Sequence, residues 1–89
     1  MRFVWDEHKA TQNLRKHGVT FDEAATVFCD PLAFVIEDTG HPENARIIGQ
    51  SSGVRLLLVV FVERDVDALR LISARRATRT EGRRYEEGE

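Results

Sequence analysis

Cysteine, proline, lysine and aromatic side chains are all scarce in this chain. Its 89 residues include one Cys, two Pro, two Lys among thirteen basic residues, and 8% aromatics. A single thiol, Cys29, cannot close an internal disulfide, so a disulfide scaffold is excluded and the reducing cytoplasm is the expected setting. Lying just before Asp30-Pro31, it reads as a packed thiol. The longest apolar run, Leu56 to Val62, is seven residues, whereas a helical membrane span needs ~20, so no membrane association is expected. Met1-Arg2-Phe3 does not begin a charged-then-apolar leader, so no export signal is expected. Histidine is equally sparse. His8, His17 and His41 lack HExxH spacing, and the acids are scattered, so neither a metal site nor a cofactor is expected. Walker, GxGxxG and GxSxG motifs do not occur.

What is there suits one small domain spanning residues 1–89. Hydrophobic residues make up 42% and charged residues 31%, and a chain of this length buries only ~60–65% of its unfolded surface. Net charge is −2, but it is unevenly spread: six arginines and one acid, Glu81, fall between Arg70 and Arg84, and Glu86, Glu87 and Glu89 follow. Eleven of the thirteen basic residues are arginine, the side chain suited to bidentate phosphate or carboxylate contacts. This run is either a solvated, salt-bridged surface or a local anion-binding patch for nucleic acid or an acidic partner.

Local signals give the element order. Residues 2–5 (RFVW) predict a short strand, and Asp6 caps a helix from Glu7 to His17 that ends at Gly18, where a left-handed residue is needed. Thr20-Phe21-Asp22-Glu23 is a capping box, with Val19 and Ala24 as its hydrophobic staple. Phe21, Ala24, Ala25 and Phe28 continue that helix at helical spacing as far as Asp30-Pro31. The period then changes to two, predicting strands at 32–37, 45–50, 54–62 and 68–74. Asp38-Thr39-Gly40-His41-Pro42, Ser51-Ser52-Gly53 and Glu63-Arg64-Asp65 supply the turns. Links this short favour an antiparallel meander with 54–62 at its centre. A second capping box, Thr78-Arg79-Thr80-Glu81, opens a helix ending near Glu87, which Gly82 weakens by ~1 kcal/mol unless it is docked. The expected fold is α+β, in the order β-α-α-β-β-β-β-α, with helices on an antiparallel sheet.

Two groups of side chains could carry chemistry. Lys9, Asn13 and Lys16 share one face of the first helix, with His17 at its border. His17 is either a partner for the helix dipole or a general acid/base that titrates near neutrality. Arg46, Arg70, Arg75 and Arg76 lie on or beside the later strands, where neighbours are ~5 Å apart. They could converge on a phosphate and stabilise transition-state charge, or pair with surface acids. Trp5 reads as a core aromatic rather than a base-stacking platform, and Ser73 has no base beside it in sequence.

These residues also form a family pattern. Phe3-Val4-Trp5-Asp6 with Lys9, Asn13, Lys16-His17-Gly18, Phe21, Glu23-Ala24-Ala25 and Asp30-Pro31 resembles the BrnT toxin family. Glu43, Arg46, Gly49, the run from Arg70 to Thr78, Glu81 and Tyr85 continue the likeness along nearly the whole chain. The resemblance implies a RelE/ParE-like fold and a metal-independent endoribonuclease, the toxin of a bacterial type II toxin–antitoxin pair, that inhibits translation. It implies a BrnA-like antitoxin and RNA as partners, with operator DNA reached only through the antitoxin. On this pattern the expected catalytic residues are His17, Lys16, Lys9, Arg46 and Arg75. Arg70, Arg76, Tyr85 and Asn13 are the expected substrate-binding residues. The ribose 2′-OH would attack the adjacent phosphate and leave a cyclic phosphate. The alternatives are a non-enzymatic antitoxin-docking or co-repressor module, and a toxin acting on a protein, as ParE-type relatives do.

Overall fold

A computed structural model describes residues 1–38 and 40–88. Its elements are β1 (Arg2–Val4), α1 (Glu7–His17), α2 (Phe21–Thr26), a 3-10 turn (Val27–Cys29), β2 (Phe34–Glu37), β3 (Ala45–Gln50), β4 (Leu56–Asp65), β5 (Ala68–Arg76) and α3 (Arg79–Glu87). Asp6 accepts from the backbone N–H groups of His8 and Lys9 at the start of α1, and Gly18 closes it at φ 70°. That left-handed conformation is costly for a residue with a Cβ. Thr20 caps α2 as expected, but Glu23 does not complete the capping box. Its carboxylate goes instead to Ser51 and Arg55. The second box, Thr78 with Glu81, is complete.

The strands form one five-stranded sheet in the order β1-β5-β4-β3-β2. β2 to β5 make the antiparallel meander with β4 at its centre, while β1 adds to the β5 edge in parallel. The turn expected at Glu63-Arg64-Asp65 lies further on. Glu63 and Asp65 still pair with Leu69 and Ala68, so the hairpin turns at Val66-Asp67. Polar residues stay in strand there because the ladder, not burial, holds them.

α1 and α2 cover one face of the sheet. Phe21, Ala24 and Val27 pack there with Ile47, Leu57, Val59, Phe61, Leu71 and Ala74 in the main core. Trp5 meets Phe21 edge to face at 5.8 Å, as a core aromatic does. β3 comes so close to the 3-10 turn and the loop after it that a Cβ on Gly49 would lie 2.9 Å from Val27 Cγ1 and 2.7 Å from Ala33 Cβ. Cys29 is a correction: it is exposed, because the 3-10 turn carries Val27 inward and the thiol outward.

The opposite face carries the paired rows Phe34–Ile48–Leu58–Arg75, Ile36–Arg46–Val60–Ser73 and Val62–Arg70. α3 lies across one end of it. A Cβ on Gly82 would sit 3.4 Å from Leu56, and the Arg84 guanidinium lies 5.8 Å from the centre of the Phe34 ring. This is the docking that a glycine-weakened helix requires. Ile48 and Leu58 are buried, whereas Val60, Val62, Arg46, Arg70 and Ser73 are half-buried.

One irregularity shapes β5. The register slips between Val60 and Phe61, which pair with Ser73 and Leu71 respectively, leaving Ile72 as an extra residue in the strand. Strand side chains alternate, so an extra residue reverses the phase. Leu69 and Leu71 before it and Ala74 after it all belong to the core.

Candidate active site

The site begins at an unfinished sheet edge. β1 pairs only with Ala68 to Arg70, so the remainder of β5 has no strand beyond it. Asn13 takes that place. Its Oδ1 accepts from the Ala74 N–H at 3.0 Å, and its Nδ2 donates to the carbonyls of Ala74 and Val19 at 2.8 and 3.0 Å. A side-chain amide offers a donor and an acceptor side by side, as a strand residue offers its N–H and C=O along one edge, so it can stand in for one rung of a ladder. This fixes α1 against β5. Asn13 was expected to bind substrate, but its amide is bonded to backbone and the residue is buried at 6% exposure.

With α1 seated this way, a cleft of about 260 Å³ opens between it and β5, lined by Lys9, Gln12, Asn13, Lys16, His17, Ile72 and Ser73. Lys9 and Lys16 are two helical turns apart, and His17 follows at the helix end. The lining carries cations and neutral hydrogen-bonding groups and no carboxylate among the described residues. Among those residues there is also no group of three His, Cys, Asp or Glu side chains that could hold a metal ion. Sequence reasoning passed over Ser73. The bulge at Ile72 is what brings both residues to the cleft, and no local motif marks it.

The arginines take separate places. Arg46 shares a row with Ser73 on the sheet face opposite α1 and α2, and Arg70 lies one row further along. Arg46 donates from Nη2 to the Glu37 carbonyl at 3.3 Å, while its buried Nε has no partner among the described residues. Arg75 is on the same face, one row toward α3, opposite Leu58. Its Nη1 and Nη2 donate to the two carboxylate oxygens of Glu81 at 2.8 and 2.9 Å. Arg76 pairs with Leu57, a residue of the main core, and so lies in phase with the other face. The structure therefore brings Lys9, Lys16 and His17 together in the cleft and Arg46, Arg70 and Arg75 together on the open face. Ser73 belongs to both. Arg76 and Tyr85 stand apart.

Tyr85 is engaged elsewhere. Its hydroxyl donates to Asp30 Oδ2 at 2.6 Å, tying α3 to the loop before β2. The Asp30 carboxylate beside it pushes the phenol pKa from its ordinary 10.0 up to about 12. A group whose pKa is raised on folding adds stability that is complete below the unfolded value and is lost as pH rises through the folded one. The melting temperature of the wild type should thus exceed that of Tyr85→Phe at pH 9, and the gap should close between about 10 and 12. Thermal melts of both proteins across that range check it. A constant gap would show that the phenolic proton is not held by Asp30, and no gap at any pH that the hydroxyl does not anchor α3.

Comparison with known proteins agrees with this geometry. Residues 5–81 match the family model for the ribonuclease toxin BrnT of type II toxin–antitoxin systems. The fold is similar to a crystal structure of the Brucella abortus ribonuclease toxin BrnT. The TM-score is 0.73 and the identity 28%, over 89% of this chain and 99% of that one. No curated protein sequence matches. The expected mixed α+β fold is the one found. With a family match over most of its length and a fold shared with a solved member, the chain belongs to the BrnT family of ribonuclease toxins of type II toxin–antitoxin systems.

Proposed function

We propose that this ribonuclease toxin cleaves RNA without a metal ion, in the cytoplasm, and that a BrnA-like antitoxin neutralises it and links it to operator DNA. The observation that carries the mechanism is the cleft in which Lys9, Lys16 and His17 stand together, with no carboxylate among the described residues that line it. His17 takes the proton of a ribose 2′-OH, imidazole being the side chain that most often serves as a general base. The 2′-oxygen attacks the adjacent phosphorus, the bond to the 5′-oxygen breaks, and a proton from Lys16 or Lys9 completes the leaving hydroxyl. The products are a 2′,3′-cyclic phosphate and a 5′-hydroxyl. Arg46 and Arg75 hold the phosphate and stabilise the negative charge of the pentacoordinate state, work that a metal ion does in other nucleases. Ser73 lines the cleft and shares a strand row with Arg46, which supports a reading in which the RNA passes from one to the other.

Purified protein incubated with RNA in excess EDTA should cleave as fast as it does in magnesium, with fragments read on a gel. Cleavage that stops in EDTA and returns with magnesium would overturn the metal-free mechanism.

A further inference from the structure

Among the described residues, Arg55 and Arg75 each pair with a glutamate, and they do so in different ways. Arg55 gives Nε and Nη2 to Glu23, and Nη2 also donates to the Gly18 carbonyl. Its side-on edge is therefore consumed in joining the β3–β4 turn to the ends of α1 and α2. Arg75 pairs through the other end. Nη1 donates to Glu81 Oε1 and to the Arg76 carbonyl, and Nη2 donates to Glu81 Oε2. A guanidinium has five N–H donors in a rigid fork, so these three bonds leave Nε–H and the second Nη2–H. Those two point the same way, and no described residue takes them. They are the pair that a phosphate accepts bidentately.

Burial agrees with this division. The Glu81 side chain is 15% exposed and enclosed by its neighbours, whereas Arg75 keeps 35% of its surface open. Glu81 is itself held, because its Oε1 also accepts from the Thr78 N–H in the capping box that starts α3. The Arg75 guanidinium, first among its neighbours, keeps the Glu81 carboxyl below the usual range, so the pair stays charged.

We propose that Glu81 is a positioning residue, gripping the end of the Arg75 guanidinium so that its side-on edge forms a two-pronged seat for a phosphodiester of the RNA. This rests on the ribonuclease reading above, and it adds to that reading a residue of the same charge as the substrate. That charge makes the test decisive in sign. If Glu81 acted only as a surface acid, removing its charge would relieve repulsion and tighten RNA binding. If it positions Arg75, the same change loosens binding.

The probe is a short single-stranded 2′-O-methyl RNA, which lacks the attacking hydroxyl, titrated into wild type, Glu81→Gln and Arg75→Lys. Glutamine keeps the size but offers one acceptor and one donor to two arginine N–H groups. Lysine keeps the charge and the partner Glu81 but has no side-on edge. Each variant should bind at least roughly tenfold more weakly, the effect expected of a hydrogen bond to a charged group. Affinity in Glu81→Gln that is unchanged or higher overturns the proposal. If that variant melts below the assay temperature, Arg75→Lys decides alone, and wild-type affinity there overturns the proposal too. No binding by the wild type also overturns it. Cleavage of the unmodified RNA is scored separately. A wild type that binds without cleaving refutes the ribonuclease mechanism and leaves the seat standing, whereas one that cleaves while Glu81→Gln binds normally refutes the seat alone.

Discussion

Asn13→Ala should lower stability by about 3–5 kcal/mol. The change removes three hydrogen bonds at once and strands the N–H and C=O of Ala74 and the C=O of Val19. A buried polar group without its partner costs ~1–3 kcal/mol, and water entering from the adjoining cleft keeps the sum toward the lower part of that range. A domain of this size has roughly 5–13 kcal/mol in total, so the change removes a large share. At ~4–8 °C for each kcal/mol the melting temperature should fall by about 12 °C or more. A melt read by circular dichroism measures it. A fall of under about 4 °C, together with abolished RNA binding, would restore the substrate-binding role expected for Asn13 and refute its role as an edge clamp.

His17→Ala should abolish RNA cleavage without unfolding the protein. General acid–base groups contribute ~10²–10⁴-fold, so the rate should fall by at least about a hundredfold. The imidazole lines an open cleft and is absent from the core cluster, so stability should change by no more than ~0.5 kcal/mol. Leu58→Ala provides the contrast. Leu58 is 2% exposed, and its truncation should cost ~2–5 kcal/mol and remove activity by unfolding. Cleavage rates and melts of the two variants separate the outcomes. If His17→Ala melts as early as Leu58→Ala, the histidine is structural; if it melts like the wild type and still cleaves, the proton is moved by another group.

Much of the architecture was legible because its signals are local. A capping aspartate, a glycine at the helix end and a change from helical to twofold spacing each act over a few residues, and each element they announced is present. The centre of the sheet was legible because residues 56–62 are all apolar, the pattern of a strand paired along both edges. The hairpin of β4 and β5 was misjudged for a related reason: its tip is polar, and paired backbone rather than burial keeps it in strand.

The site was harder to read. Lys9, Lys16 and His17 line one cleft, as their spacing on the helix suggests, yet Asn13 on the same helix is bonded to Ala74, 61 positions away. Periodicity says which way a side chain points, not what awaits it there. Tyr85 shows the same limit, since its partner Asp30 is 55 positions distant. Arg76 was grouped with Arg46, Arg70 and Arg75, but neighbouring residues in a strand lie on opposite sides of the sheet, so Arg75 and Arg76 part.

The extra residue at Ile72 works like a frameshift in the two-residue code of the strand. Arg70 and Arg75 are separated by an odd interval, which in an unbroken strand would place them on opposite faces. Here they share one, because the bulge resets the alternation between them. A chain of the same architecture lacking that residue would keep both arginines on the same surface with one position fewer between them. Across this strand, then, the invariant is parity counted through the bulge, not distance in sequence. A fixed-spacing motif drawn from Arg70 to Arg75 would miss a protein whose two arginines occupy the same places in space.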